Sequence, residues 1–100
     1  MDRYHVIMSS QALRDLYSIF DHIAVSLQEP NVASQLIDRI ESAIETLDHM
    51  PFRCPVREIG IYANGGYRQL LAKNYTVVFR INEEEKSVMV ITIRYSASNF

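Results

Sequence analysis

The sequence predicts an α+β fold, a two-layer sandwich in which a helical hairpin covers one face of an antiparallel sheet. Two patterns support this prediction. Apolar residues recur at intervals of three and four between residues 12 and 50, as in amphipathic helices, and alternate with polar residues between 67 and 95, as in half-buried strands. Since each kind of element buries one apolar surface, helices and sheet are expected to pack on each other, in the order β-α-α-β-β-β. A chain of 100 residues corresponds to one domain, spanning 1–100.

The first half of the chain contains the first strand and both helices. The apolar run from Tyr4 to Met8 predicts a short strand at the sheet edge, and Ser9 with Ser10 offers N-cap side chains for a helix. Pro30 interrupts the helical pattern and Pro51 ends it, so two helices are expected. Their apolar stripes contain Ala12, Leu13, Leu16, Ile19, Phe20, Ile23, Ala24 and Leu27, then Ala33, Leu36, Ile37, Ile40, Ala43, Ile44, Leu47 and Met50.

The second half of the chain contains an irregular loop followed by three strands. The loop is predicted at 52–65, the strands at 67–71, 75–81 and 88–95, and the polar turns at 73–74 and 82–86. The odd positions from 75 to 81 and from 89 to 93 are apolar, whereas Arg68, Arg80 and Arg94 occupy even positions. If odd positions pair with odd positions, one face of the sheet is apolar and the other carries the three arginines.

Charge is distributed unevenly along the chain. Residues 1–50 contain three basic and eight acidic side chains, a net charge of −5, whereas residues 51–100 contain seven basic and four acidic ones, a net charge of +3. A basic region suits a partner rich in phosphate or carboxylate groups, and it is equally typical of a solvated sheet face.

Several classes of protein do not fit the sequence. It contains no apolar run long enough to span a bilayer, and its start lacks the pattern of a signal peptide. The lone cysteine, Cys54, cannot form an internal disulfide, and His5, His22 and His49 lack the spacing of metal ligands. These features favour a cytoplasmic protein that has no metal, no other cofactor and no membrane contact.

Short segments in a fixed order over nearly the whole chain resemble one superfamily. They are Ser9-Ser10-Gln11-Ala12, Asp15-Leu16, Ile19-Phe20-Asp21-His22-Ile23, Leu47-Asp48-His49-Met50-Pro51, Gly66-Tyr67-Arg68-Gln69-Leu70, Asn74-Tyr75-Thr76-Val77-Val78-Phe79-Arg80-Ile81 and Ile91-Thr92-Ile93-Arg94-Tyr95. In this combination the chain resembles the RelE/ParE superfamily of toxins from bacterial type II toxin–antitoxin systems. It looks closer to the ParE-like branch, whose members are also called plasmid-stabilisation proteins.

The resemblance implies a toxin that inhibits growth and that a cognate antitoxin neutralises by wrapping it with an extended or helical segment. ParE-like members inhibit DNA gyrase and have no demonstrated hydrolytic centre, whereas RelE-like members cleave messenger RNA on the ribosome. Whether the chain is an enzyme therefore stays open on the resemblance alone. A toxin dimer and a heterotetramer with the antitoxin are both compatible with the sequence.

Two departures from the superfamily pattern bear on the target. The chain is slightly acidic, with a net charge of −2, and it has Ser96, Ala97 and Ser98 where many relatives carry basic residues. These departures favour a toxin that binds a protein target, with DNA gyrase first. The alternative is a ribosome-dependent mRNA endonuclease. A further alternative is a non-toxic relative that retains only antitoxin binding.

If the chain cleaves RNA, four residues are expected to contribute. The reaction requires a base for the 2′-hydroxyl, cations for the phosphate and an acid for the leaving oxygen. The resemblance gives Arg68 the cation role and Tyr95 the role of acid or stacking group, while Glu58 is the base and Arg94 a phosphate contact. Each also has a plainer interpretation: a salt bridge or antitoxin contact for Arg68, edge packing for Tyr95, an ion pair with Arg57 for Glu58, and a solvated side chain for Arg94.

The same basic region predicts a surface for a partner. The expected partner-binding residues are Arg57, Arg68, Arg80 and Arg94. A guanidinium binds the carboxylates of an acidic antitoxin in a bidentate manner, and an unpaired strand edge is a second place where an antitoxin strand adds. For a gyrase target, exposed helical side chains such as Tyr17, Asp21 and Gln28 are further candidates.

Overall fold

Four strands and two long helices form the α+β fold that the sequence predicts, in the predicted order. The computed structural model describes residues 3–100. Its main elements are β1 (His5–Met8), α1 (Ser10–Asp21), α2 (Pro30–Glu45), β2 (Arg68–Ala72), β3 (Tyr75–Asn82) and β4 (Ser87–Tyr95). A π-helical turn (His22–Ser26) and three 3₁₀ turns (Thr46–Asp48, Pro51–Arg53 and Gly60–Tyr62) lie between them. Within these residues, no helix combines the length and the apolar character needed to cross a bilayer.

Local sequence explains where the helices begin. Ser9 is the N-cap of α1, because its hydroxyl accepts a hydrogen bond from the Ala12 N–H at 3.0 Å. Pro30 stands in the first turn of α2, where its missing N–H has no partner to lose. The apolar stripe of each helix faces the sheet, and Ala12 and Ile40 on these stripes are fully buried.

The sheet has the strand order β1-β4-β3-β2, which places β1 at one edge, as predicted. The pairs β2–β3 and β3–β4 are antiparallel, but β1 runs parallel to β4, so the sheet is mixed and not wholly antiparallel. The apolar pattern of a four-residue strand fixes which of its faces is buried. It does not fix the direction of the neighbouring strand, which depends on the path of the helical hairpin.

The register also differs from the predicted pairing of odd with odd positions. Arg68 lies opposite Phe79, so an even position pairs with an odd one throughout β2–β3. In β3–β4 the odd pairing holds near Tyr95 but shifts by one residue at a bulge between Val78 and Phe79. As a result Arg80 lies opposite Met89. The prediction that the three arginines share one face is wrong for Arg68, which points to the helix-covered side.

The core lies between the helical hairpin and one face of the sheet. Its buried members come from both layers and from the loop after α2: Tyr4, Ala12, Leu16, Ile40, Ile44, Leu47, Cys54, Ala72, Val77, Phe79, Val88, Val90 and Ile93. Phe79 and Ile40 are among the largest fully buried side chains. Burying one such side chain stabilises the fold by roughly 1.5–3 kcal/mol.

The loop between α2 and β2 closes one edge of the sheet. The Arg57 N–H donates to the Tyr67 carbonyl at 2.7 Å, and the Gln69 N–H donates to the Pro55 carbonyl at 3.0 Å. Residues 55–57 therefore lie along the start of β2 and satisfy the outer hydrogen-bonding groups there. At the opposite edge, the described residues place no further strand along β1.

Candidate functional site

The predicted site residues are divided between the two faces of the sheet. Arg80 and Arg94 lie on the face away from the helices, because Arg94 pairs with Thr76, which shares a face with Arg80 along β3. Arg57 reaches the same side from the loop, where it contacts Gln69. We call this surface, which carries Arg57, Arg80 and Arg94, the arginine face.

Arg57 is buried, with 7% of its surface exposed. Its guanidinium donates to the Ile59 carbonyl at 3.2 Å, to Oε1 of Gln69 at 2.9 Å and to the main-chain oxygen of Phe100 at 3.4 Å. It also lies 4.2 Å from the centre of the Phe100 ring. These contacts hold residue 100 against the sheet, so the observed role of Arg57 is structural. Its predicted role in partner binding stays a prediction.

Arg80 and Arg94 are more accessible, and aromatic rings fix their positions. The Arg80 side chain is exposed, and its guanidinium lies 5.0 Å from the centre of the Tyr67 ring. Arg94 is half-buried, donates from Nε to the Thr92 hydroxyl at 3.3 Å and lies 5.5 Å from the centre of the Phe100 ring. Stacked guanidinium groups of this kind keep donors free for carboxylate or phosphate.

Arg68 lies on the helix-covered side at the sheet edge, where main-chain groups of the loop bind it. Nη1 donates to the Cys54 carbonyl at 2.6 Å and to the Phe52 carbonyl at 3.4 Å, and the guanidinium lies 5.1 Å from the centre of the Phe52 ring. The Cys54 thiol beside it is buried, and burial raises its pKa despite the nearby Arg53 and Arg68. A protonated buried thiol does not act as a nucleophile.

The residues predicted for RNA cleavage are not gathered at one point. Arg68 lies opposite Phe79 and Tyr95 lies opposite Tyr75, so the two are four residues, about 13 Å, apart along the strand direction. Arg94 is on the other face. Glu58 is exposed in the loop, and the predicted Arg57–Glu58 ion pair is absent from the described residues, because the donors of Arg57 bind other groups.

An apolar groove that the sequence did not reveal runs along the outside of the helical hairpin. One part, with a volume of about 350 Å³, is lined by Leu13, Leu16, Tyr17, Phe20, Ile37 and Glu41. A second part, of about 240 Å³, shares three of these residues, adds Ile44 and Glu45 of α2 and reaches the sheet edge at Val6 and Met8. We call the two parts the hairpin groove. Leu13 is 47% exposed and Tyr17 is 73% exposed, so large apolar side chains face solvent there.

The hairpin groove meets the open edge of β1. The His5 N–H donates to the Lys86 carbonyl and the Ser9 N–H to the Val90 carbonyl, so alternate residues of this segment face β4. Val6 and Met8 therefore direct their N–H and C=O groups away from the sheet. An open edge beside an apolar groove suits an extended segment that adds as a strand and inserts alternate apolar side chains. The sequence signal was weak: Leu13 belongs to the apolar stripe, but only the packing shows that it faces outwards.

Residues 3–100 contain no group of three or more histidine, cysteine, aspartate or glutamate side chains placed to hold a metal ion.

Comparisons with known proteins agree with the fold. A family model described as the ParE toxin of the type II toxin–antitoxin system parDE matches residues 6–100. A structure of the chromosomal ParDE toxin–antitoxin system from P. aeruginosa is similar, with a TM-score of 0.77 and 21% identity over 93% of this chain and 96% of that one. No curated protein matches the sequence.

Two RelE-type structures are also similar. The RelBE2 toxin–antitoxin complex from Mycobacterium tuberculosis has a TM-score of 0.66 and 21% identity over 98% of this chain and 97% of that one. A mutant of the E. coli toxin RelE in the free state has a TM-score of 0.62 and 11% identity over 95% of this chain and 85% of that one. At these identities, the likeness shows a shared fold.

Proposed function

Since the chain belongs to the ParE toxin family of type II toxin–antitoxin systems, we propose that it arrests growth by binding a protein target, with DNA gyrase as the leading candidate. In this proposal the toxin performs no hydrolysis. It acts through a surface complementary to its target, and a cognate antitoxin neutralises it by covering that surface.

The observation that carries this proposal is the position of Arg68. RNA cleavage requires a base, an acid and cations around one phosphate. Here the Arg68 guanidinium is bound by the carbonyls of Cys54 and Phe52, whereas Tyr95 lies about 13 Å further along the strand direction. Because the hydrogen bonds of Arg68 hold its own loop in place, they favour a toxin that binds its target over one that cleaves RNA.

We place the antitoxin in the hairpin groove and along the free edge of β1. The groove is apolar over most of its surface, and its rim carries Glu41 and Glu45. An antitoxin segment with alternating apolar side chains and basic flanks is complementary to it. The target is expected to contact exposed side chains of the same hairpin, Tyr17 and Asp21 in α1 and Gln28 in the loop before α2, so antitoxin and target compete.

A supercoiling assay with purified toxin and DNA gyrase tests the proposal. We expect loss of supercoiling at a toxin excess, with recovery when the antitoxin from the neighbouring gene is added. Arg68→Met, which removes the charge and keeps most of the volume, should inhibit gyrase as well as the native chain. Its unfolding curve serves as the control for folding.

The same samples distinguish the alternatives when they are also incubated with translating ribosomes. Cut messages together with normal supercoiling would replace the proposal with a RelE-like endonuclease. If neither activity appears and the antitoxin still binds, the chain is a non-toxic relative.

The endonuclease remains a second candidate because of one feature of the arginine face. Arg80 stacked on Tyr67, with Arg94 on the same face, combines cations with aromatic surface in the manner of single-stranded RNA sites. If this surface binds message, Arg80→Gln together with Arg94→Gln should abolish cleavage while antitoxin binding in the hairpin groove is unchanged.

A further inference from the structure

A separate pocket lies between α2 and the turn that joins β2 to β3. Its volume is about 320 Å³, at the lower end of the range for small-molecule sites. Ile23, Val32 and Leu36 form an apolar part of the lining. None of the predicted catalytic or partner-binding residues except Tyr95 belongs to it. We call it the tyrosine pocket.

Cationic and amide groups line this pocket without any carboxylate. Arg39 enters from α2 and Lys73 from the turn, and Gln35 and Asn74 add amide groups. Among the described residues, neither Arg39 nor Lys73 forms a hydrogen bond or ion pair, and both side chains are exposed. Two positive charges at one pocket, with no carboxylate in its lining, favour an anion there.

The backbone at Lys73 is also unusual for a lysine. Its φ of 56° lies in the left-handed region, where glycine or asparagine is the ordinary turn residue. The turn conformation therefore gives no reason for a lysine at this position. Its side chain nevertheless supplies one of the two cations of the pocket.

Two tyrosines form the aromatic side of the pocket. The rings of Tyr75 and Tyr95 meet edge to face, with centres 5.7 Å apart. Burial, and secondly the neighbouring Tyr95, raise the pKa of Tyr75 above its ordinary value. Tyr95 is 50% exposed, which leaves part of its ring open to a ligand. Aromatic rings beside apolar side chains form a surface on which a planar ring of a ligand can stack.

We propose that the tyrosine pocket binds a nucleotide, with the phosphate between Arg39 and Lys73 and the base against Tyr95 and the apolar floor. An acidic peptide would need only the cations, whereas the aromatic and apolar surfaces are explained by a base. The ligand is either a free nucleotide or the end of a single strand, which present the same chemistry.

The tyrosine pocket is independent of the hairpin groove. Ile37, Glu41 and Ile44 of α2 line the groove, whereas Leu36 and Arg39 of the same helix line the pocket. The two sites thus use different stripes of one helix. Nucleotide and antitoxin are expected to bind at the same time, and the site does not depend on the identity of the toxin's target.

Titration of the full ¹⁵N-labelled chain with adenosine 5′-monophosphate tests the proposal. We expect saturable shifts at the amides of Lys73, Asn74 and Tyr75, with adenosine alone and inorganic phosphate each binding at least tenfold more weakly. Absence of saturable binding would overturn the site. Adenosine that binds as tightly as the monophosphate would overturn the phosphate contact, and phosphate that binds as tightly would overturn the base contact.

Charge variants locate the site. Arg39→Gln and Lys73→Gln should each weaken binding of the monophosphate at least fivefold, whereas Arg14→Gln, an exposed arginine of α1, should leave it unchanged. Tyr95→Phe should retain binding and Tyr95→Leu should lose it. Unaltered binding in both charge variants, with native unfolding curves, would show that the pocket is not the site.

Two competitors identify the source of the ligand. A short single-stranded oligonucleotide that displaces the monophosphate at lower concentration supports the site and indicates a nucleic-acid end. Weaker displacement also supports it and indicates a free nucleotide. A glutamate-rich peptide that binds more tightly than both would overturn the proposal in favour of an acidic protein partner.

Discussion

Arg57 and Arg68 donate their hydrogen bonds to groups of the chain itself. The acceptors of Arg57 include the main-chain oxygen of Phe100, and those of Arg68 are the carbonyls of Cys54 and Phe52. A guanidinium has five donors in one plane, so a single arginine can tie several carbonyls of an irregular loop together. The net charge of +3 on residues 51–100 therefore overstates how many arginines are free to contact a partner.

Two glycines permit a matched test of the contact between the loop and Phe100. Gly60 and Gly66 have φ of 77° and 76°, so alanine is strained at both. Only at Gly60 would the new Cβ collide with the chain, at 1.7 Å from the main-chain oxygen of Phe100. We expect Gly66→Ala to lower the free energy of unfolding by about 1 kcal/mol and Gly60→Ala by about 3 kcal/mol, in urea unfolding. Equal losses would show that Phe100 does not pack against Gly60.

The lengths of two neighbouring strands explain the attachment of α1 to the sheet. β1 has four residues and β4 has nine, so β1 covers only the first part of the β4 edge. Beyond it, the Ser9 hydroxyl donates to the Ile91 carbonyl at 2.8 Å, and Oδ2 of Asp15 accepts the Ile93 N–H at 2.9 Å. The Thr92 hydroxyl donates to the same carboxylate oxygen. Side chains of α1 and its cap therefore replace the missing strand.

Asp15 is accordingly predicted to stabilise the junction between α1 and β4. Asp15→Ala leaves the Ile93 N–H and the buried Thr92 hydroxyl without their acceptor, so we expect a loss of about 2 kcal/mol in the free energy of unfolding. Asp15→Asn keeps one acceptor oxygen and should lose less. Asp38→Ala, at an exposed position of α2, is the control and should stay within about 0.5 kcal/mol of the native chain. A loss in the control as large as that of Asp15→Ala would contradict this role.

The elements could be predicted from the sequence because their signals are local. The 3.6-residue stripe and the two prolines predict the hairpin, and alternation predicts the strands. The register could not be predicted. The turn at Lys73 and Asn74 pairs even with odd positions throughout β2–β3, which moves Arg68 to the other face. One extra residue in β4, at the bulge beside Val78 and Phe79, then changes which positions of β4 face the helices. The same applies to Arg57, which contacts Phe100, a residue 43 positions away in the sequence. The predicted site residues therefore stay a prediction, and their neighbours in the fold could not be predicted from the sequence.

At the scale of the whole molecule, the two halves of the chain present different surfaces. The acidic half forms β1 and the hairpin, whose groove has a glutamate rim, and the basic half forms the other three strands and the arginine face. Residues 55–57 cover the start of the β2 edge, whereas among the described residues the outer groups of Val6 and Met8 in β1 are open to an added strand. An antitoxin strand that pairs with β1 also fills the hairpin groove, because Val6 and Met8 belong to the β1 edge and to the lining of the groove.

This arrangement predicts which amides an antitoxin protects. In the complex, hydrogen exchange at the Val6 and Met8 amides should slow strongly, since both N–H groups gain a partner, while the outer edge of β2 should change little.

Leu13→Arg, in the groove, should weaken antitoxin binding at least tenfold, about 1.4 kcal/mol. Val32→Arg, at an equally exposed apolar position outside the groove, is its control and should bind normally. Protection that appears on the arginine face, with Leu13→Arg binding normally, would place the antitoxin there, and the exposed arginines would then be its contacts.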